Sequence, residues 1–274
     1  MVAMRGPAIR VCYLPLSPTI ASARLRGIIP ARELHKSGFL VSADTKTAAD
    51  WLVLSKHGWS EDFSPNHKRI LFDVCDNHFG TDKGAHYVKW CRRADKVTCN
   101  TPAMAAVIER ETGVKAVVIP DPYEGPELAP KCNRPLLWFG HKSNLSDLLP
   151  WLDRIGPTVI VSNHPAEWVT QWSPENMAEA FKITGLTVIP TGEKQAKSAN
   201  RAIEAIRAGH FPVCGRLPAY EELGLGCDDI AAGVEAALAD PEATMARVAS
   251  LQDRVRAEFS PQRIGELWAE CFST

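Results

Sequence analysis

Short apolar runs alternate with amphipathic segments along this chain. Candidate strands are Ile9–Leu14, Phe39–Ser42, Asp50–Ser55, Arg69–Val74, Lys96–Asn100 and Ala116–Pro120, followed by Leu136–Gly140, Thr158–Ser162, Leu186–Pro190 and Phe211–Cys214. Several are continuously apolar rather than alternating, as strands covered on both faces are. Helices fit between them at Ser22–Ser37, Tyr87–Arg93, Pro102–Thr112, Leu145–Ile155, Asn176–Phe181 and Ser198–Ala208. Strand–helix alternation of this kind predicts an α/β protein with parallel sheets.

The alternation breaks once, at 121–134, where three prolines and a glycine interrupt a polar stretch. Such a stretch reads as a linker. It separates two series that each repeat the alternation, so two Rossmann-like domains facing a central cleft are expected, one over 1–125 and one over 134–258. Beyond Cys214 the pattern is helical, over 228–239, 241–259 and 261–271.

Composition narrows the function classes. The chain has 274 residues, 45% hydrophobic and 23% charged, an ordinary globular balance. A net charge of −1 gives no argument for nucleic acid as a partner. No run approaches the roughly 18 apolar residues of a membrane span. The first residues lead into a short strand rather than a secretory apolar core. The eight cysteines are scattered and form no CxxC pair, which disfavours zinc and redox motifs and suits a reduced, cytoplasmic protein.

The segment from Lys197 to Gly209 carries the densest chemistry. It lies between two candidate strands, so its helix starts at a strand's carboxyl end, where open α/β sheets bind ligands. A helix start offers unpaired N–H groups and a positive dipole end to phosphate. Ser198 and Asn200 add hydroxyl and amide donors, and Lys197 and Arg201 add charge. Glu204, one to two turns further on, is placed to accept from sugar hydroxyls. A diphosphate at one end and a ribose at the other describe a nucleotide-sugar. A plainer reading stands beside this one, in which Ser198 or Asn200 caps a surface helix and the charges are solvated.

Three further loops follow candidate strands. After Leu136–Gly140, Gly140 lets backbone approach a ligand closely, Lys142 can offset phosphate charge, and Ser143 or Asn144 can cap a helix. The turn after Ile9–Leu14 lacks GxGxxG, which disfavours a standard dinucleotide site, and offers Ser22, Arg24 and Arg26 to an anion instead. After Arg69–Val74, Asp76, His78 and Asp82 crowd one loop, where Asp76 and His78 can do acid–base work or position a hydroxyl. Alternatively, this loop's Asp and Asn residues simply make turns. His57 and His86 are weaker candidates. No DxD-like motif is present, so a diphosphate held by protein donors rather than by a metal ion is expected.

The segment Lys197-Ser198-Ala199-Asn200-Arg201-Ala202-Ile203-Glu204-Ala205, with Gly209 and Pro212-Val213 beyond it, is similar to the donor-binding segment of glycosyltransferase group one proteins. Phe139-Gly140-His141-Lys142 resembles that family's strand-end glycine and diphosphate-binding basic residue. Glu204 matches the second of the family's two glutamates, while the position of the first holds Ala196. The resemblance implies the two-Rossmann (GT-B) fold, with a terminal helix over 259–274 crossing back to the first domain. It also implies retaining transfer of a sugar from a nucleoside diphosphate sugar, with Asp76 and His78 on the catalytic or acceptor side. The acceptor is open among carbohydrate, lipid-linked and other hydroxyl compounds, and peripheral contact with a membrane is left open too. Two alternatives remain: a non-catalytic nucleotide-sugar-binding or scaffold protein, and a nucleotide-sugar epimerase.

Overall fold

The computed structural model describes residues 9–13, 17–18, 20–44, 46–55, 67–192 and 196–274. Chain contacts divide it into two compact units. The first comprises 1–122, 196–198 and 259–274, and the second comprises 123–195 and 199–258.

The first unit begins with β1 (Arg10–Tyr13) and a helical stretch made of α1 (Ala21–Ala23), a π-helical segment (Arg24–Ile28) and α2 (Ile29–Lys36). There follow β2 (Leu40–Ser42), β3 (Trp51–Ser55), β4 (Arg69–Val74), α3 (Gly84–Arg93), β5 (Lys96–Cys99), α4 (Pro102–Thr112) and β6 (Val117–Val118). The strands form one parallel sheet in the order β2-β1-β3-β4-β5-β6. β3 is buried at every position, which is why its sequence is a continuous apolar run. Thr101 caps α4 by accepting from the Met104 N–H, and Gly113 ends it in the left-handed region at φ 75°.

The second unit runs through β7 (Leu136–Gly140), α5 (Leu145–Leu148), α6 (Leu152–Ile155), β8 (Thr158–Ser162), β9 (Thr170–Gln171), α7 (Pro174–Ile183) and β10 (Leu186–Ile189). It continues with α8 (Asn200–Arg207), β11 (Phe211–Cys214), α9 (Pro218–Glu221), α10 (Ile230–Ala239) and α11 (Pro241–Glu258). Its sheet is also parallel, in the order β11-β10-β7-β8-β9. The single helix expected over Leu145–Ile155 is broken: a 3₁₀ turn at Leu149–Trp151, with Pro150 at its start, separates α5 from α6. Proline cannot donate within a helix interior, so the ladder is interrupted there.

The last helix, α12 (Pro261–Ser273), belongs to the first unit. Its Ile264, Trp268, Cys271 and Phe272 are buried with Val11, Tyr13, Leu34, Trp51, Val53 and Leu71 from β1, α2, β3 and β4. Trp268 stacks on Phe272, and the Trp51 indole N–H donates to the Phe272 carbonyl at 3.2 Å. Gly265 lets α12 approach α2, where a Cβ would sit 2.5 Å from that of Glu33.

Candidate functional site

In the second unit the chain leaves β7 to form β8 and β9 on one side, then crosses to form β10 and β11 on the other. The strand order therefore reverses between β7 and β10, and open α/β sheets bind ligands outside the carboxyl ends at such a point. Two predicted segments border it: the loop from Gly140 into Lys142, which leaves β7, and helix α8, whose Arg201 reaches the end of β7.

Helix α8 is amphipathic, burying Ala202, Ile203, Ala205, Ile206 and Arg207. Its far end is closed by a Schellman motif, in which the His210 N–H donates to Ala205 and the Gly209 N–H to Ile206. Gly209 has φ 76°, and a Cβ there would sit 2.1 Å from the Ala129 carbonyl oxygen, so glycine is required twice over. The near end is different. Ala199 occupies the cap position and no side chain caps from it. The Asn200 side chain is turned onto its own helix, where Oδ1 accepts from the Arg201 N–H at 2.8 Å.

Arg201 is half-buried in the first turn. Its Nη1 lies 3.5 Å from the Phe139 carbonyl oxygen at the end of β7, and its charge acts on the buried Tyr220 phenol of α9. A Cβ at Gly140 would sit 3.3 Å from Nη1. Arg201 and Gly140 are thus brought together, and the absence of a side chain at Gly140 leaves that approach open. Lys142 is exposed, and its N–H donates to Asn163 at 2.8 Å, which ties the loop after β7 to the loop after β8.

Glu204 points to the side of α8 where the chain enters the unit. Its Oε1 accepts from the Glu124 N–H at 2.6 Å and its Oε2 from the Gly125 N–H at 3.2 Å. Burial pushes this carboxyl up to about 7, against the pull of the two N–H bonds. A carboxylate has about four lone-pair directions, so two N–H bonds leave it able to accept further hydroxyl donors. One turn on, the Arg207 guanidinium lies over the Tyr123 ring at 4.1 Å and pairs with Glu127, which Arg256 also holds at 2.7 Å.

The remaining predicted residues belong to the first unit. Ser198 is half-buried and hydrogen-bonds the Asp121 carboxyl. Lys197 is half-buried. Arg24 donates to the Pro18 carbonyl oxygen at 2.9 Å. Arg26, expected to face an anionic ligand, is instead fully buried as an internal cation. It donates to Asp73 at 2.6 and 3.1 Å and reaches Asp121 at 3.3 Å, with Trp268 5.2 Å away. Asp73 also accepts from Thr98 at 2.8 Å. The π-helical segment turns Arg26 inward, out of phase with a regular helix. Asp76 and His78 follow β4 and are half-buried, and the His78 ring lies 5.2 Å from that of buried Tyr87. Asp82 is exposed, His86 packs against Tyr87 and Trp90, and His57 lies outside the described residues. Among the described residues no group of three His, Cys, Asp or Glu is placed to hold a metal, and no helix is long and apolar enough to cross a membrane.

Sequence reasoning missed Tyr220, Asn163 and the backbone of Glu124 and Gly125. Tyr220 sits on a four-residue helix too short to show periodicity, and the other contacts are backbone donors or long-range pairings that no motif encodes.

No protein-family model matches the sequence, and no curated protein does. Solved structures do match the fold. Anabaena Alr3699/HepE in complex with UDP and glucose superposes with a TM-score of 0.70 at 11% identity, over 97% of this chain and 99% of that one. An α-glucosyltransferase in complex with UDP and DNA containing an HMU base gives 0.63 at 10% identity, over 98% and 100%. The T4 phage BGT in complex with UDP and Mn²⁺ gives 0.62 at 9% identity, over 98% and 100%. The chain has the two-Rossmann fold of GT-B glycosyltransferases, as the strand–helix alternation and the resemblance led one to expect.

Proposed function

We propose that this chain, built on the GT-B fold, is a glycosyltransferase that moves a sugar from a nucleoside diphosphate sugar to a hydroxyl acceptor. The observation that carries the reading is Arg201. Among the described residues its guanidinium donates to a carbonyl oxygen, with no carboxylate at ion-pair distance. The buried Arg26 and Arg207 are both paired with acids. A half-buried guanidinium without a counter-ion among the described residues, at the start of a helix with no side-chain N-cap and at a topological switch point, suits an anionic ligand. The structural neighbours that bind UDP support the same reading.

In this mechanism the leaving group is a nucleoside diphosphate. Arg201, Lys142 and the N–H groups of α8 stabilise its developing charge, with the Asn200 amide as a further donor. Gly140 admits the diphosphate, and Glu204 accepts from the ribose hydroxyls. Asp76 or His78 acts on the acceptor side as base or hydroxyl-positioning group. These cationic side chains can meet the charge without a metal ion, and retention at the sugar carbon follows the resemblance.

Titration calorimetry with ADP, CDP, GDP and UDP tests the donor site. At least one is expected to bind, and Arg201→Ala is expected to weaken it about 10- to 100-fold. Failure of all four to bind sinks the proposal.

One observation favours a second reading, a nucleotide-sugar-binding protein without transfer activity. Ala196, where the resemblance places the first glutamate, is buried in the apolar core of the first unit. Release of free sugar or transfer to any acceptor from the matching sugar donor excludes that alternative.

A further inference from the structure

We propose that His141 is a further binding residue for the donor diphosphate, presenting an Nε2–H donor whose tautomer the fold itself fixes. The inference rests on the nucleotide-binding reading above and concerns a side chain that the reading did not use.

The loop that leaves β7 runs through a 3₁₀ turn, Lys142–Asn144, into α5. Loops at strand ends commonly meet phosphate with unpaired backbone N–H groups. Here those groups are already engaged. The Lys142 N–H donates to Asn163 Oδ1 at 2.8 Å, and the Ser143 N–H donates to His141 Nδ1 at 3.2 Å. The Asn144 N–H donates to the His141 carbonyl oxygen at 2.9 Å, and the Leu145 N–H donates to that of Lys142. Four consecutive backbone donors are thus taken up by the protein. From Lys142 onward, the loop can meet an anion only with side chains.

His141 directly follows Gly140, where a Cβ would sit 3.3 Å from the Arg201 Nη1. It is exposed. An N–H can only donate, so the Nδ1 that accepts from Ser143 carries a lone pair and no proton. The Ser143 hydroxyl, 2.9 Å from the same nitrogen, can donate to it as well. In the neutral ring the proton therefore sits on Nε2, on the opposite side of the imidazole. A solvated imidazole samples both tautomers and several rotamers. The Ser143 bond selects one of each, so less freedom is lost when a ligand accepts from Nε2–H. The diphosphate of a nucleotide-sugar offers acceptors only, which matches a fixed donor.

A histidine that only capped the turn would be replaceable by any side chain with an acceptor where Nδ1 stands. The two amide side chains separate the roles. Asn sets an acceptor at the place of Nδ1 and reaches no further, whereas Gln sets a donor near the place of Nε2 and loses the cap. The test compares the best-binding nucleoside diphosphate with its parent nucleoside, by calorimetry, in the full-length wild type, His141→Asn and His141→Gln. His141→Asn is expected to keep the wild-type Tm, to weaken the diphosphate about 5- to 10-fold and to leave the nucleoside unchanged. His141→Gln is expected to lower Tm yet hold diphosphate affinity within about 2-fold of wild type. Nitrogen NMR spectra of the free protein are expected to place the His141 proton on Nε2, and that resonance to shift when the diphosphate is added. Affinity that follows the cap instead, kept in His141→Asn and lost in His141→Gln, overturns the inference while the nucleotide-binding reading survives. Equal weakening of nucleoside and diphosphate, or a proton found on Nδ1, does the same. Absence of nucleotide binding by the wild type overturns both.

Discussion

Two backbone N–H bonds ordinarily hold a carboxylate below its usual range, yet at Glu204 burial outweighs them and the group sits near 7 rather than 4.5. The sign of the consequence follows. The folded state keeps its proton to higher pH than the unfolded chain does, so this group's contribution to stability is present below 4.5 and is lost as pH rises through 7. Denaturant unfolding of wild type against Glu204→Gln at pH 5 and pH 8 should show the difference between them changing by on the order of 2–3 kcal/mol, against the wild type at the higher pH. Ligand binding runs the other way. If the ionised carboxylate accepts from ribose, nucleotide affinity rises with pH through the same window, and Glu204→Gln flattens that rise. The variant should raise donor KM with less effect on kcat, the pattern of lost uniform binding. A residue's type and spacing suggested that Glu204 bears on a sugar. That the entering backbone at Glu124 and Gly125 already occupies it was not legible, because backbone donors leave no mark in a sequence.

Elements were legible where their periodicity is regular and illegible where it is locally broken. The apolar runs of β3 and β7 read directly as buried parallel strands. The helix expected over Ser22–Ser37 exists, but its π-helical turn shifts the phase, so an arginine that belongs to an exposed face on a regular wheel becomes the centre of a buried network. Asp73→Ala would leave that cation only its longer contact to Asp121 and should destabilise the first unit by about 3–5 kcal/mol, read by urea unfolding. Asp73→Asn, which keeps hydrogen bonds and loses charge, should cost less. Helix α8 offers a contrast at its C-terminal end, where sequence and structure agree on Gly209. Replacing it with Ala forces a side chain into the left-handed region and against the Ala129 carbonyl, and should cost about 3 kcal/mol in the same measurement.

At the scale of the whole chain, the alternation around one Pro-rich break was enough to predict two Rossmann-like halves, and the solved GT-B structures share that fold at 9 to 11% identity. Such agreement is possible because the pattern of buried strands and crossover helices survives the replacement of nearly every side chain. Ligand chemistry does not survive so easily, since it depends on a few groups whose partners lie far off in the sequence: Ser198 on Asp121, Arg201 on Phe139. Neither pair could be matched by spacing alone. The share of the first unit's core that comes from α12 is measurable too. Trp268→Ala should cost about 3–5 kcal/mol, because the indole is fully buried among Tyr13, Trp51 and Phe272.

That last helix has a consequence for how the protein is made. Residues 1–122 emerge first but lack α12, which follows after the entire second unit. At about 5–20 residues per second, the roughly 140 intervening residues take about 7–30 s to translate. For that interval the apolar side of β1, β3 and α2 that α12 will cover has no lid, and the bare face is a target for chaperones and for sticking to its own kind. Nascent chains arrested before residue 259 should therefore be cut by a protease within the first unit, whereas chains released with α12 attached should resist it. The second unit, contiguous but for three residues, can close while still being synthesised.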